Sequence, residues 1–159
     1  MPFCKHSLLT TIVNALINKY FSDKPTANNY AQSNIFFPPA EISMIELVEK
    51  NLGIKLPQDY VDFLLTTNGF DGMIGESYVV FEQIKKVEEY TSNYCGEFFP
   101  WAIYIGTDGG NEMYVIDKRG PNYNFGLLPY ISDDKDFINL GDTFEGFVRR
   151  LYDNDFWTK

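Results

Sequence analysis

The apolar positions nearest the N-terminus are Leu8, Leu9, Ile12, Val13, Leu16 and Ile17, a three-and-four spacing that lays one stripe along a helix. That spacing predicts a helix over 7–20. The pattern then lapses into a polar connector with one proline, Asp23, Lys24, Pro25, Thr26, Asn28, Asn29, Gln32, Ser33 and Asn34, which reads as a loop or arm. Pro38-Pro39 can occupy a helical first turn, where Glu41 complements the positive end of the dipole. A helix over 39–52 follows, with Ile42, Ile45, Val48 and Leu52 as its buried stripe. Gly53 ends it, because glycine reaches the left-handed cap conformation without steric cost. Pro57 then opens a third helix over 57–67 that turns Tyr60, Phe63 and Leu64 inward and stops at Asn68-Gly69.

Beyond Gly69 the period changes to short β-branched and aromatic runs punctuated by glycine, the texture of strands. Strands are predicted at Tyr78–Phe81, Trp101–Ile105, Met113–Asp117 and Phe125–Tyr130. The run Gly106-Thr107-Asp108-Gly109-Gly110-Asn111-Glu112 reverses the chain as a hairpin, and Lys118-Arg119-Gly120-Pro121-Asn122 makes the next reversal. Residues 82–99 carry two conflicting signals. Lys85, Lys86, Glu88 and Glu89 suit a solvated helix, whereas Tyr90, Tyr94, Phe98 and Phe99 require partial burial. Asp142-Thr143-Phe144-Glu145 resembles a capping box and opens a last helix that buries Phe144, Phe147, Val148 and Leu151. The expected architecture is α+β: a mainly antiparallel sheet of four to six strands with helices packed on it. Its expected core includes Ile42, Leu52, Leu56, Tyr60, Phe63, Leu64, Ile105, Phe144 and Phe147.

Composition narrows the classes. At 159 residues, 45% of them apolar, one compact domain buries enough surface to need no disulfide or metal staple. The net charge of -9 is uneven: residues 1–40 hold three Lys and one Asp, +2, which leaves -11 for residues 41–159. Such a chain is not a general binder of nucleic acid backbone. No apolar run approaches the roughly 20 residues of a membrane span. Ser7–Ile17 is too short and polar for a signal peptide, and no small-residue cleavage site follows it, so a cytoplasmic location is expected.

Catalytic and metal-binding readings find little support. His6 and Cys4 stand together at a terminus, but a structural zinc site needs four ligands and a Cys–His nucleophile pair needs a fold to hold it. Cys95, between Tyr94 and Gly96, fits a small buried apolar group. The loop Asp108–Glu112 has neither calcium-loop nor phosphate-loop spacing. Among 22 acidic residues no pair has a context that would raise one pKa and mark an acid and a base. No catalytic residue, metal or cofactor is therefore expected. The 11 Tyr, 14 Phe and 2 Trp fill a core or anchor an interface.

Several phrases then coincide: Leu52-Gly53, Leu56-Pro57, Tyr60, Phe63-Leu64 and Asn68-Gly69; Ile105-Gly106, Asp108-Gly109-Gly110-Asn111 and Asp117; Thr143-Phe144 and Phe147. Over residues 38–152 the chain resembles the SUKH superfamily, which includes fungal regulators of cell-wall synthesis and bacterial immunity proteins that neutralise polymorphic toxins. The organisation expected is an N-terminal helix and polar connector over 1–37 leading into a SUKH-like domain over 38–159. The resemblance implies a non-enzymatic protein that binds a cognate toxin by direct contact, with no nucleic acid or membrane partner. A regulatory scaffold of the fungal kind is the alternative, and a carbohydrate-binding domain a third. An acidic face opposed to a basic toxin groove gains steered association on physical grounds alone. Binding groups concentrate on turns, so Asp71, Glu76, Tyr78, Asp108 and Glu112 are the expected contact residues.

Overall fold

The computed structural model describes residues 2–21 and 34–156, with side chains from Leu8 onward. The Cys4–His6 pair and most of the polar connector lie outside the side chains so described. Seven strands form one antiparallel meander in chain order: β1 (Ile35–Phe36), β2 (Phe70–Ile74), β3 (Ser77–Phe81), β4 (Ala102–Thr107), β5 (Glu112–Asp117), β6 (Asn124–Pro129) and β7 (Ile138–Gly141). The α+β class and all four predicted strands are present. The strand number exceeds the expected range because β1, β2 and β7 are short or glycine-interrupted and carry little alternation.

The predicted helices are present with shifted ends. Helix α1 spans Pro2–Tyr20, α2 Ile42–Leu52, α3 Gln58–Thr66 and α5 Phe144–Asp153. Pro38 and Pro39 precede α2 rather than opening it. There the backbone instead joins the α3 end, since the Pro38 carbonyl accepts from Asn68 N–H and Ala40 N–H donates to Leu64 O. That displacement rotates the stripe: Ile45 and Val48 are buried, Ile42 is 50% exposed and Leu52 half-buried, so Ile42 does not belong to the core. Gly53 caps α2 at φ 70° as expected. Thr143, not Asp142, caps α5, accepting from Gly146 N–H at 3.0 Å. The capping-box geometry occurs instead at the 3₁₀ turn Asp134–Asp136.

One sheet face packs on α1, α3 and α5. Phe70, Ile74, Val79, Phe81, Ile105, Tyr114, Ile116, Phe125 and Leu127 meet Val13, Phe21, Tyr60, Phe63, Leu64, Phe144, Phe147 and Leu151 there. Glu49 of α2 is also buried, and its Oε2 accepts from Leu56 N–H at 2.8 Å, which secures the α2–α3 link. The ambiguous stretch becomes α4 (Ile84–Tyr90) followed by a π-helical turn, Thr91–Cys95. The two signals hold in part: α4 sinks Ile84 and Val87 into the first core and the π turn puts Cys95 into a second one with Phe99 and Tyr90, whereas Phe98, expected to be partly buried, is 81% exposed.

That second core lies on the other sheet face, where Cys95, Phe99 and Trp101 cover Ala102, Tyr104, Met113, Val115 and Leu128. Strands β4, β5 and β6 are therefore buried on both faces, whereas β2 and β3 alternate buried and half-buried positions. Half of the second face is open. Among the described residues, no helix is long and apolar enough to cross a membrane.

Candidate protein-binding face

Alternate residues of a strand point to opposite faces, so burial of Phe70, Ile74, Val79 and Phe81 in the helical core sends Asp71, Met73, Tyr78 and Val80 to the open side. Asp71 and Tyr78 lie on adjacent strands two residues from direct opposition, and Tyr78 Oη donates to Asp71 Oδ1 at 2.7 Å. That bond to the carboxylate raises the phenol's pKa above its ordinary value. Glu82 continues the β3 line and is half-buried. Desolvation lifts its carboxyl pKa, Lys86 opposes the lift and the charge of Asp71 adds to it.

The β4–β5 hairpin closes one end of this face. Asp108 Oδ1 accepts from Gly110 N–H at 2.8 Å and Glu112 N–H at 3.3 Å, so this carboxylate organises its own turn. Gly109, at φ +80°, approaches Tyr78 so closely that a β-carbon would stand 3.0 Å from the ring's Cδ1 and Cε1. Exposed Glu76, in the β2–β3 turn, joins Tyr78 and Asp108 around a shallow cavity of about 210 Å³ that also reaches Ser77, Tyr114 and Phe156. The fold therefore brings Glu76, Tyr78 and Asp108 to one place and ties Asp71 to them through Tyr78. Glu112 is set apart from that cavity's lining. Its carboxyl pKa is raised by desolvation and then by the charges of Asp108 and Asp136, and its Oε2 is buried without a hydrogen-bond partner.

Sequence reasoning passed over Glu82 and a cluster of tyrosines beside it. The rings of Tyr90, Tyr94, Tyr104 and Tyr130 stand 5.1–6.5 Å apart in successive pairs. The separation of Tyr90 and Tyr94 by four residues was the available signal, hidden because it spans the α4–π junction. Among the described residues no three His, Cys, Asp or Glu side chains converge as metal ligands. The one described cysteine, Cys95, is buried, and its thiol pKa is pushed up to about 12 by desolvation. Carboxylates and phenols thus stand on fixed strands and turns here, Glu76 exposed and Asp71, Tyr78 and Asp108 partly so.

The family model described as SMI1 / KNR4 family (SUKH-1) matches residues 39–150. The chain is also similar to a protein of Bacillus subtilis (strain 168), named uncharacterized protein YnaB. Identity is 33% over 116 residues, which cover 69% of this chain and 74% of the relative. The match begins after α1 and takes in β2–β7, the open face and both hairpins.

Proposed function

The chain belongs to the SMI1/KNR4 family (SUKH-1), and from that membership we propose that it is an immunity protein that binds and neutralises a cognate toxin by direct contact. The observation that carries this reading is the half-open sheet face, where Asp71 and Tyr78 stand on adjacent strands, Glu82 follows β3, Glu76 and Asp108 lie on the flanking turns and Glu112 opens β5. Asp71, Glu76, Tyr78, Asp108 and Glu112 are the proposed contacts. The partner is a basic protein, such as a nuclease, whose groove loses access to nucleic acid once this face covers it. Recognition acts in the cytoplasm and needs neither turnover nor a cofactor.

The physical sequence is steering followed by docking. A chain of net charge -9 raises the encounter rate with a basic surface, and the half-desolvated Glu82 interacts with an incoming cation more strongly than a fully hydrated carboxylate would. Asp71→Lys with Glu76→Lys tests the acidic edge. The probe is a toxin domain of basic charge, to be sought in the reading frames beside the gene. We expect association to slow by about tenfold at low salt and its salt dependence to flatten, with thermal unfolding unchanged. Unchanged association rates would place the interface elsewhere.

A further inference from the structure

Three irregularities meet on the second sheet face, and none is needed for the meander itself. The helix after β3 widens into a π turn at Thr91–Cys95. Strand β4 shifts register between Tyr104 and Gly106. The β3–β4 junction carries only two registered pairs, Val80 with Thr107 and Phe81 with Gly106. The π turn and the bulge are joined, because Tyr104 N–H donates to Thr91 Oγ1 at 2.9 Å. Each locally re-aims side chains, and each recurs next to functional sites.

What they aim is aromatic. Tyr94 packs against Tyr104 at 5.4 Å and edge-on to Tyr130 at 5.1 Å, and Tyr104 and Tyr130 share a hydroxyl hydrogen bond at 3.3 Å. Tyr104 is buried at the base, Tyr130 is half-buried and Tyr94 is 42% exposed. Two large apolar side chains next to this ridge in the chain are almost wholly in solvent, Phe98 at 81% and Ile131 at 98%. Core formation does not explain them.

The surrounding charge is mainly acidic, with Lys86 Nζ 5.6 Å from the centre of the adjoining Tyr90 ring as a cation within the cluster. Tyr130 N–H donates to Asn111 O, which places the ridge beside the Asp108–Glu112 hairpin, and the charge of Asp136 reaches Glu112. Ile131 is followed by Asp133, Asp134 and Asp136 with Lys135 as the one cation, and Phe98 is preceded by Glu97. The protein already shows what such a setting holds. On the same face the Arg119 guanidinium lies 3.7 Å from the Trp101 ring centre while donating twice to Asp117, at 3.0 and 3.1 Å. Among the described residues no cation lies over Tyr94.

We propose that Tyr94, Tyr104 and Tyr130, with Phe98 and Ile131, form the anchoring half of the partner surface and seat an arginine-bearing, partly apolar segment of a basic protein. This rests on the immunity reading above and adds a division of labour to it. The acidic turns set the rate of arrival, and the tyrosine ridge sets the rate of departure, because buried aromatic contacts govern dissociation more than encounter. An arginine stacked on Tyr94 would repeat the Trp101–Arg119 arrangement, with Glu82, whose charge reaches Tyr104, as a nearby carboxylate.

Stopped-flow or surface-binding kinetics with a basic toxin domain, sought in the reading frames beside the gene, separates the two roles. Tyr94→Ala should raise the dissociation rate at least tenfold and leave the association rate and its salt dependence unchanged. Phe98→Ala with Ile131→Ala, at positions that touch little of the fold, should also speed dissociation and guards against a packing effect of the first variant. Dissociation rates equal to wild type in both variants would overturn the ridge assignment while the immunity reading stands. A wild-type chain that does not bind the domain would overturn that reading and the assignment with it. A concentration-dependent dimer of the wild type that Tyr94→Ala abolishes would make a second copy the occupant and overturn the assignment as well.

Discussion

Asp59 does for α5 what the chain next to α5 does not. Its Oδ2 accepts from Phe144 N–H, 85 positions away, at 2.6 Å, so a side chain of α3 satisfies an open donor of the α5 first turn while Thr143 takes another. Burial nevertheless dominates its ionisation: desolvation raises the carboxyl pKa, against backbone hydrogen bonds from Phe144 and others that lower it. A carboxyl whose pKa is higher folded than unfolded adds stability when protonated and loses that contribution as pH rises through its folded value. Asp59→Asn keeps an acceptor for Phe144 but removes the titration. Wild type should therefore gain stability relative to Asp59→Asn as pH falls from 7 to 4, measured by urea unfolding across that range. A gap that stays constant with pH would show that Asp59 ionises as it does in the unfolded chain.

At the scale of elements, α1 lies before the stretch matched by the family model, yet its end is built into the core. Phe21, immediately after α1, stacks on Phe63 at 5.6 Å and meets Phe70 edge-on at 4.7 Å, and Tyr20 packs on Tyr152 at 5.4 Å. Phe21→Ala should cost about 3–5 kcal/mol of unfolding free energy; a loss below about 1 kcal/mol would make α1 an appendage. The helices were legible because their apolar residues recur at three-and-four spacing, as in Tyr60, Phe63 and Leu64 of α3 or Phe144, Phe147 and Val148 of α5. Strand β2 was not, since Asp71 and Gly72 interrupt its alternation for reasons that lie elsewhere in the chain. Gly72 leaves room for the Asn34 side chain, whose Oδ1 accepts from Met73 N–H at 2.8 Å and finishes the short β1 edge. For the candidate face, the acidic turns could be read from composition, whereas the tyrosine ridge depends on a π turn and a bulge that no local pattern announces.

For the whole molecule, the deciding feature is a sheet covered on both faces over β4–β6 and open on one face over β2 and β3. The whole chain carries a net charge of -9, which would steer a basic partner toward it before any contact forms. The central claim is that the chain works by covering its partner, and that claim predicts stoichiometry. The most direct measurement titrates this protein into a fixed amount of a toxin domain that it binds and follows residual toxin activity and toxin mass. Activity should fall linearly and end at a fixed molar ratio, with the toxin's mass unchanged. Silencing at substoichiometric amounts, with a cleaved or modified toxin in the mass spectrum, would contradict the account and make the chain an enzyme.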